Sequence, residues 1–178
     1  MHRREVVRYL GAALALPFLP RSAEAVVALG EQIHARLSGQ EVPFRTLNAA
    51  QQALVTDITE MIIPATDTPG ATSVKVPQFI DLILTEWMSD DERAPFLAGL
   101  SDIEARVFAR MTRAQRTELL TALDAARGDT AGAGLAFGRL KALTVYGYFT
   151  SQRVEREVLK LQFFFDGYHG DVPFTPAV

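Results

Sequence analysis

The chain has no cysteine. That excludes disulfides, thiolate metal sites, iron–sulfur clusters and CxxCH haem attachment, so the fold must rest on its packed core alone. Histidine is nearly as scarce: only His2, His34 and His169 occur, far apart in the sequence. Long apolar runs are also missing. A spanning helix takes roughly twenty apolar residues, whereas the uncharged stretch Tyr9 to Leu19 has eleven and is interrupted by Pro17. An excess of positive charge is lacking too. Of the net charge of −3, residues 1–25 contribute a surplus of two positive charges (Arg3, Arg4, Arg8 and Arg21 against Glu5 and Glu24), which leaves the remainder at −5. A weakly acidic body has no electrostatic footprint for nucleic acid.

What is present is an ordinary globular composition. The 178 residues, 48% hydrophobic and 22% charged, suffice for one domain with a real core. Their first stretch stands apart. His2-Arg3-Arg4-Glu5-Val6-Val7-Arg8 precedes the short apolar segment, and Ala23-Glu24-Ala25 follows it. The segment has the length of a signal-peptide core, and the alanines give the small-x-small pattern accepted by signal peptidase, with cleavage after Ala25. Arg3 and Arg4, followed by one variable residue, two apolar residues and Arg8, resemble a twin-arginine (Tat) export signal. A Sec-type signal, a retained anchor and an ordinary first helix are the alternatives. The expected division is a signal peptide over 1–25 and a folded domain over 26–178. Tat passengers generally cross the membrane already folded, often around a cofactor, which raises the question of where that cofactor sits.

The body reads as successive helices. Residues 26–37 suit a leading helix. Asn48 with Gln51 forms a capping-box pattern, ahead of a stripe at Leu54, Ile58, Met61 and Ile62 that Pro64 ends. Residues 64–77, PATDTPGATSVKVP, hold three prolines and a glycine and read as a shaped loop in which Asp67 bonds its own turn or meets a partner. Pro77 suits the first turn of a broad apolar helix through Trp87 and Met88, expected to be central. Ser89 with Glu92 and Thr112 with Gln115 cap two more helices; Phe96, Leu100, Ile103, Val107 and Met111 fall at helical spacing along the first. Residues 127–134 read as a Gly/Ala link. Leu140, Leu143 and Gly147 then share a face, and Val154, Val158 and Leu161 mark a last helix. The expectation is an all-α, single compact domain of five to seven helices, closed by an irregular aromatic C-terminal arm.

Chemistry-bearing patterns are sparse. No P-loop is present, and the glycines of residues 132–138 follow no strand, so they cannot cradle a dinucleotide. Asp57 and Glu60 stand three apart on one helix without a Glu-x-x-His companion, and read as solvated helix-face acids. His169 between Asp166 and Asp171 is an acid–base grouping with no nucleophile in view. No catalytic, cofactor-binding or metal-ligating residue is therefore assigned. The tail is more informative. Phe163, Phe164 and Phe165 are consecutive, so one helix face cannot bury all three; with Tyr168 and Phe174 they form an apolar arm that either folds back on the core or docks on a partner.

The segments LNAAQQALVTDITEMIIPATDTPGA and VPQFIDLILTEWM, with LKALTVYGYFTS at 140–151 and the GYHGDVPF close, resemble the gluconate 2-dehydrogenase subunit 3 family over roughly residues 45–175. The resemblance implies a non-catalytic small subunit of a periplasmic, FAD-dependent dehydrogenase of sugars or sugar acids. It implies a GMC-type large subunit that carries the FAD, a multihaem cytochrome c that accepts the electrons, and export through the Tat translocon with the small subunit assisting maturation. A subunit without its own cofactor must act through a surface, and the candidates are Phe163, Phe164, Phe165, Tyr168, Phe174, Asp67 and Pro69. A stand-alone periplasmic helical binding protein and an autonomous enzyme are the competing readings.

Overall fold

The computed structural model describes residues 16–39, 42–126 and 129–160. Among them are seven α-helices: α1 (Ala23–Gly39), α2 (Ala49–Ile62), α3 (Val76–Glu86), α4 (Asp90–Ala105), α5 (Arg113–Ala125), α6 (Gly132–Phe149) and α7 (Gln152–Glu157). Two single-turn 3₁₀ segments, Thr72–Val74 and Phe108–Arg110, lead into α3 and α5. No strand occurs among the described residues, and the helices form one domain around one core. None of them is long and apolar enough to cross a membrane.

Local chemistry explains most of the helix starts. Asn48 and Gln51, Ser89 and Glu92, and Thr112 and Gln115 all close reciprocal capping boxes, so the free amides of α2, α4 and α5 find partners. Pro77 lies in the first turn of α3, where its missing N–H costs nothing. Ile63 caps α2 directly before Pro64.

The central element is α6, not α3 alone. It packs against α2, α3, α4, α5 and α7, and it is apolar around its circumference, as a helix enclosed by others must be. Its N-terminus also corrects one expectation: the Gly/Ala link ends earlier, because α6 starts at Gly132 with Ala133 and Gly134 already buried. Helix α4 stops at Ala105. Val107, placed on the buried stripe by spacing, instead adopts a left-handed φ of 60° and is 49% exposed, while Phe108 enters the core in its stead. At the other end, α1 begins at Ala23, three residues before the expected domain boundary, and Leu16 and Leu19 upstream of it are buried in the core.

Candidate partner interface

The loop between α2 and α3 is built around one side chain. Glu60, in the last turn of α2, turns its carboxylate back over the loop. One oxygen accepts the Ala65 amide at 2.9 Å; the other accepts the Thr72 amide at 3.0 Å and the Thr72 hydroxyl at 2.5 Å. The Ala71 amide donates to the Ile63 carbonyl at 2.9 Å and closes the loop's base. Gly70 is buried directly against the carboxylate, and a Cβ there would overlap Glu60 and stand 2.6 Å from the Ala65 nitrogen. From the other side, Tyr148 of α6 donates its hydroxyl to the Pro69 carbonyl at 2.8 Å. Burial raises the Tyr148 phenol pKa, which keeps that hydroxyl a donor.

So braced, the loop presents Pro64 to Asp67 to solvent. The Thr66 hydroxyl donates to the Asp67 carboxylate at 2.9 Å, and the Thr66 amide donates to the Thr68 carbonyl at 3.0 Å. The turn thus orders its own tip, with Asp67 as acceptor from its neighbour. Of the residues singled out by sequence, Asp67 and Pro69 lie here together, the first exposed and the second half-buried with its carbonyl engaged. Arg3, Arg4, Phe163, Phe164, Phe165, Tyr168, His169 and Phe174 lie outside the described residues.

Beside the tip runs a depression of about 540 Å³, walled by Met61, Pro64 and Met111 together with the charged Asp57, Glu60, Arg113 and Arg116. Across Met61 a second hollow of about 270 Å³ continues between α2, α5 and α6, with Ile62, Leu120, Phe137 and the Asp124–Lys141 pair on its walls. Met61 is the shared wall of both. Arg116 is rigidly held: it donates to Asp57 at 2.9 Å and to the carbonyls of Phe108 and Ala109, and its guanidinium lies over the Phe108 ring at 4.9 Å. The two acids read as solvated therefore both have structural partners. Glu60 organises the loop, and Asp57 ties α2 to α5. One sequence signal pointed to Glu60: an acid in a helix's last turn opposes the helix dipole and needs a compensating donor.

The rest of the frame is fixed by buried polar groups. Asp81 of α3, 1% exposed, accepts three consecutive backbone amides, from Arg45 at 2.7 Å, Thr46 at 3.0 Å and Leu47 at 2.8 Å. That locks the approach to α2. His34 of α1 stacks on Phe79 with centroids 5.0 Å apart, and its Nε2 lies 2.7 Å from the Gly147 carbonyl. The carbonyl can only accept, so Nε2 carries the proton. Burial, partly offset by that bond, holds His34 below the usual imidazole pKa of 6.5. His34 is thus a neutral core residue. Among the described residues no three His, Asp or Glu side chains gather as metal ligands.

The family model described as "Gluconate 2-dehydrogenase subunit 3" matches residues 49–167. That span begins at the first residue of α2 and includes the braced loop, its Tyr148 prop and Phe163 to Phe165. Comparison with curated proteins and with solved structures finds no match.

Proposed function

The chain belongs to the gluconate 2-dehydrogenase subunit 3 family, and from that premise we propose that it escorts a flavin-bearing large subunit through maturation and Tat export into the periplasm. Family membership makes it an accessory subunit of a dehydrogenase complex. The further steps are our reading. The large subunit, of GMC type, holds FAD and oxidises a sugar or sugar acid, and a multihaem cytochrome c takes the electrons. This chain holds no flavin; it contributes the Arg3–Arg4 signal and a surface.

The observation that carries this reading is the braced loop at the edge of the Met61 groove. A loop tip is ordinarily mobile, and ordering it on binding costs free energy. Here Glu60 and Tyr148 hold it from two sides in advance, beside hollows of mixed apolar and charged lining that are open to solvent. Preorganisation of that kind suits recognition of a partner. The Phe163 to Phe165 arm is a second contact in the same reading.

The test is co-expression of the large subunit with and without this chain, followed by flavin absorbance and dehydrogenase activity of the periplasmic fraction. With the chain present, both rise. Unchanged flavin content and export in its absence would sink the proposal. A tagged chain that brings down no flavoprotein would favour the stand-alone binding protein.

A further inference from the structure

We propose that folding seals the Ala25–Val26 bond against signal peptidase, so that the exported chain keeps its leader. The inference rests on the Tat reading above, because only a passenger that folds before export meets the peptidase with this junction already formed.

The junction is built into a folded turn: Ser22, Ala23 and Glu24 are exposed, but Ala25 is half-buried and Val26 is buried. Helix α1 starts at Ala23, so the small-x-small residues Ala23 to Ala25 are its first turn. The Ala25 amide donates to the Ser22 hydroxyl at 3.2 Å, and the Val26 amide donates to the Ser22 carbonyl at 3.1 Å. Val26 is 1% exposed, and its carbonyl accepts the buried Tyr146 hydroxyl at 2.6 Å. Upstream, Leu16 and Leu19 belong to the core, and the Leu19 amide bonds the Leu16 carbonyl at 3.1 Å. The bond is therefore held on both sides.

A peptidase that reads small residues at alternate positions needs an extended substrate, because extended side chains alternate and advance about 3.3 Å per residue against 1.5 Å in a helix. Presenting Ala23 to Val26 in that form means unwinding the first turn, breaking the Tyr146 bond and drawing Val26 out of the core. The product is also disfavoured. Hydrolysis adds water across the bond, leaving a carboxylate on Ala25 and an ammonium on Val26. The ammonium would form on a residue enclosed in the core and at the positive end of a helix dipole, where both desolvation and the dipole oppose it.

The experiment uses the purified full-length chain and signal peptidase in detergent micelles, with intact mass as the readout. One sample is folded, and one is urea-unfolded and diluted directly into the assay. The unfolded chain is cut after Ala25, and the folded chain is cut slower by on the order of a hundredfold, the scale of a modest local opening equilibrium. Tyr146→Phe keeps the packing but removes the hydroxyl bond, and speeds cleavage of the folded chain by about tenfold, the scale of one hydrogen bond. Equal rates for folded and unfolded wild type overturn the sealing. An unfolded chain left uncut overturns the proposal at its premise, that this junction is a peptidase site. Loss of export in an Arg3→Lys, Arg4→Lys variant tests the Tat reading separately.

Discussion

Glu60 and Thr72 are joined twice across twelve residues of chain, the carboxylate accepting both the amide and the hydroxyl of the threonine. The loop between them is therefore part of the rigid body. Burial pushes the Glu60 carboxyl up, but the bonds from Thr72 and Ala65 together outweigh it and hold the pKa below the ordinary 4.5. A carboxyl lowered by folding stabilises the native state above its unfolded pKa, and that contribution fades as pH falls through the folded value. Glu60→Gln should accordingly be less stable than wild type at pH 7, and the difference should shrink below about pH 4.5. Urea titrations across pH 3 to 7 read this directly; a gap that stays constant with pH would remove the charge from the account.

Gly70 tests the same clamp by volume. Alanine there must displace the Glu60 carboxylate or the Ala65 amide. Overpacking of this kind typically costs about 1–3 kcal/mol. Gly70→Ala should lose stability in that range and also weaken capture of the large subunit, because the Pro64 to Asp67 tip shifts. Denaturant midpoints and pull-down yield, measured on one preparation, report both effects.

His34 sets a pH dependence with the opposite origin, since it is buried neutral. The unfolded imidazole takes up protons as pH falls through about 6.5, while the folded one resists. The unfolded state then binds more protons, so stability falls as pH drops below 6.5, until the folded group titrates as well. His34→Gln retains an amide donor for the Gly147 carbonyl but not the stacking on Phe79. It should cost about 1–2 kcal/mol at pH 7.5 and flatten the slope between pH 7 and 5.5 relative to wild type. A wild-type slope that survives the substitution would assign it to other histidines.

Asp81 shows why part of this molecule was legible and part was not. Capping boxes such as Asn48 with Gln51 or Thr112 with Gln115 couple residues three apart, so spacing alone reveals them, and all three occur as the pattern predicts. Asp81 bonds amides 34 to 36 residues away, and Glu60 reaches across a loop; no local pattern carries such pairings. Periodicity misled where it was continued too far. Val107 sits on the stripe of Phe96, Leu100 and Ile103, but the chain turns left-handed there and Phe108 fills the core. The start of α1 was hidden for another reason: Ala23 to Ala25 suit both a cleavage motif and a helix turn, and only the burial of Val26 shows the second.

The Asp81 carboxylate itself should be intolerant of change. Asp81 is 1% exposed, and Asp81→Ala removes the acceptor of three amides, of which that of Leu47 is buried and those of Arg45 and Thr46 part-buried; an unpaired buried donor costs about 1–3 kcal/mol. A loss of at least about 3 kcal/mol is expected, with Asp81→Asn intermediate because one oxygen acceptor remains. Thermal unfolding checks the order wild type, asparagine, alanine; asparagine equal to wild type would mean that the charge contributes nothing.

The groove is where stability and recognition should separate. Met61 is half-buried and forms the common wall of both hollows, so a partner side chain seated in either one contacts it. Lysine is a comparable straight-chain helix former, and its stem can lie along the surface while the ammonium reaches water. Met61→Lys should therefore change stability by less than about 1 kcal/mol. Seated opposite an apolar partner, however, the ammonium loses its water, and the acids that share the hollows, Asp57, Glu60 and Asp124, are already engaged by Arg116, the loop amides and Lys141. Binding of the large subunit should weaken at least tenfold, the effect of a central interface position. Gln32→Lys, on the exposed face of α1 away from the groove, serves as the matched control and should stay within about twofold. Calorimetry or surface-immobilised titration with the purified flavoprotein compares the two. Equal affinities for the two variants would move the interface off this groove and leave the aromatic arm as its remaining candidate.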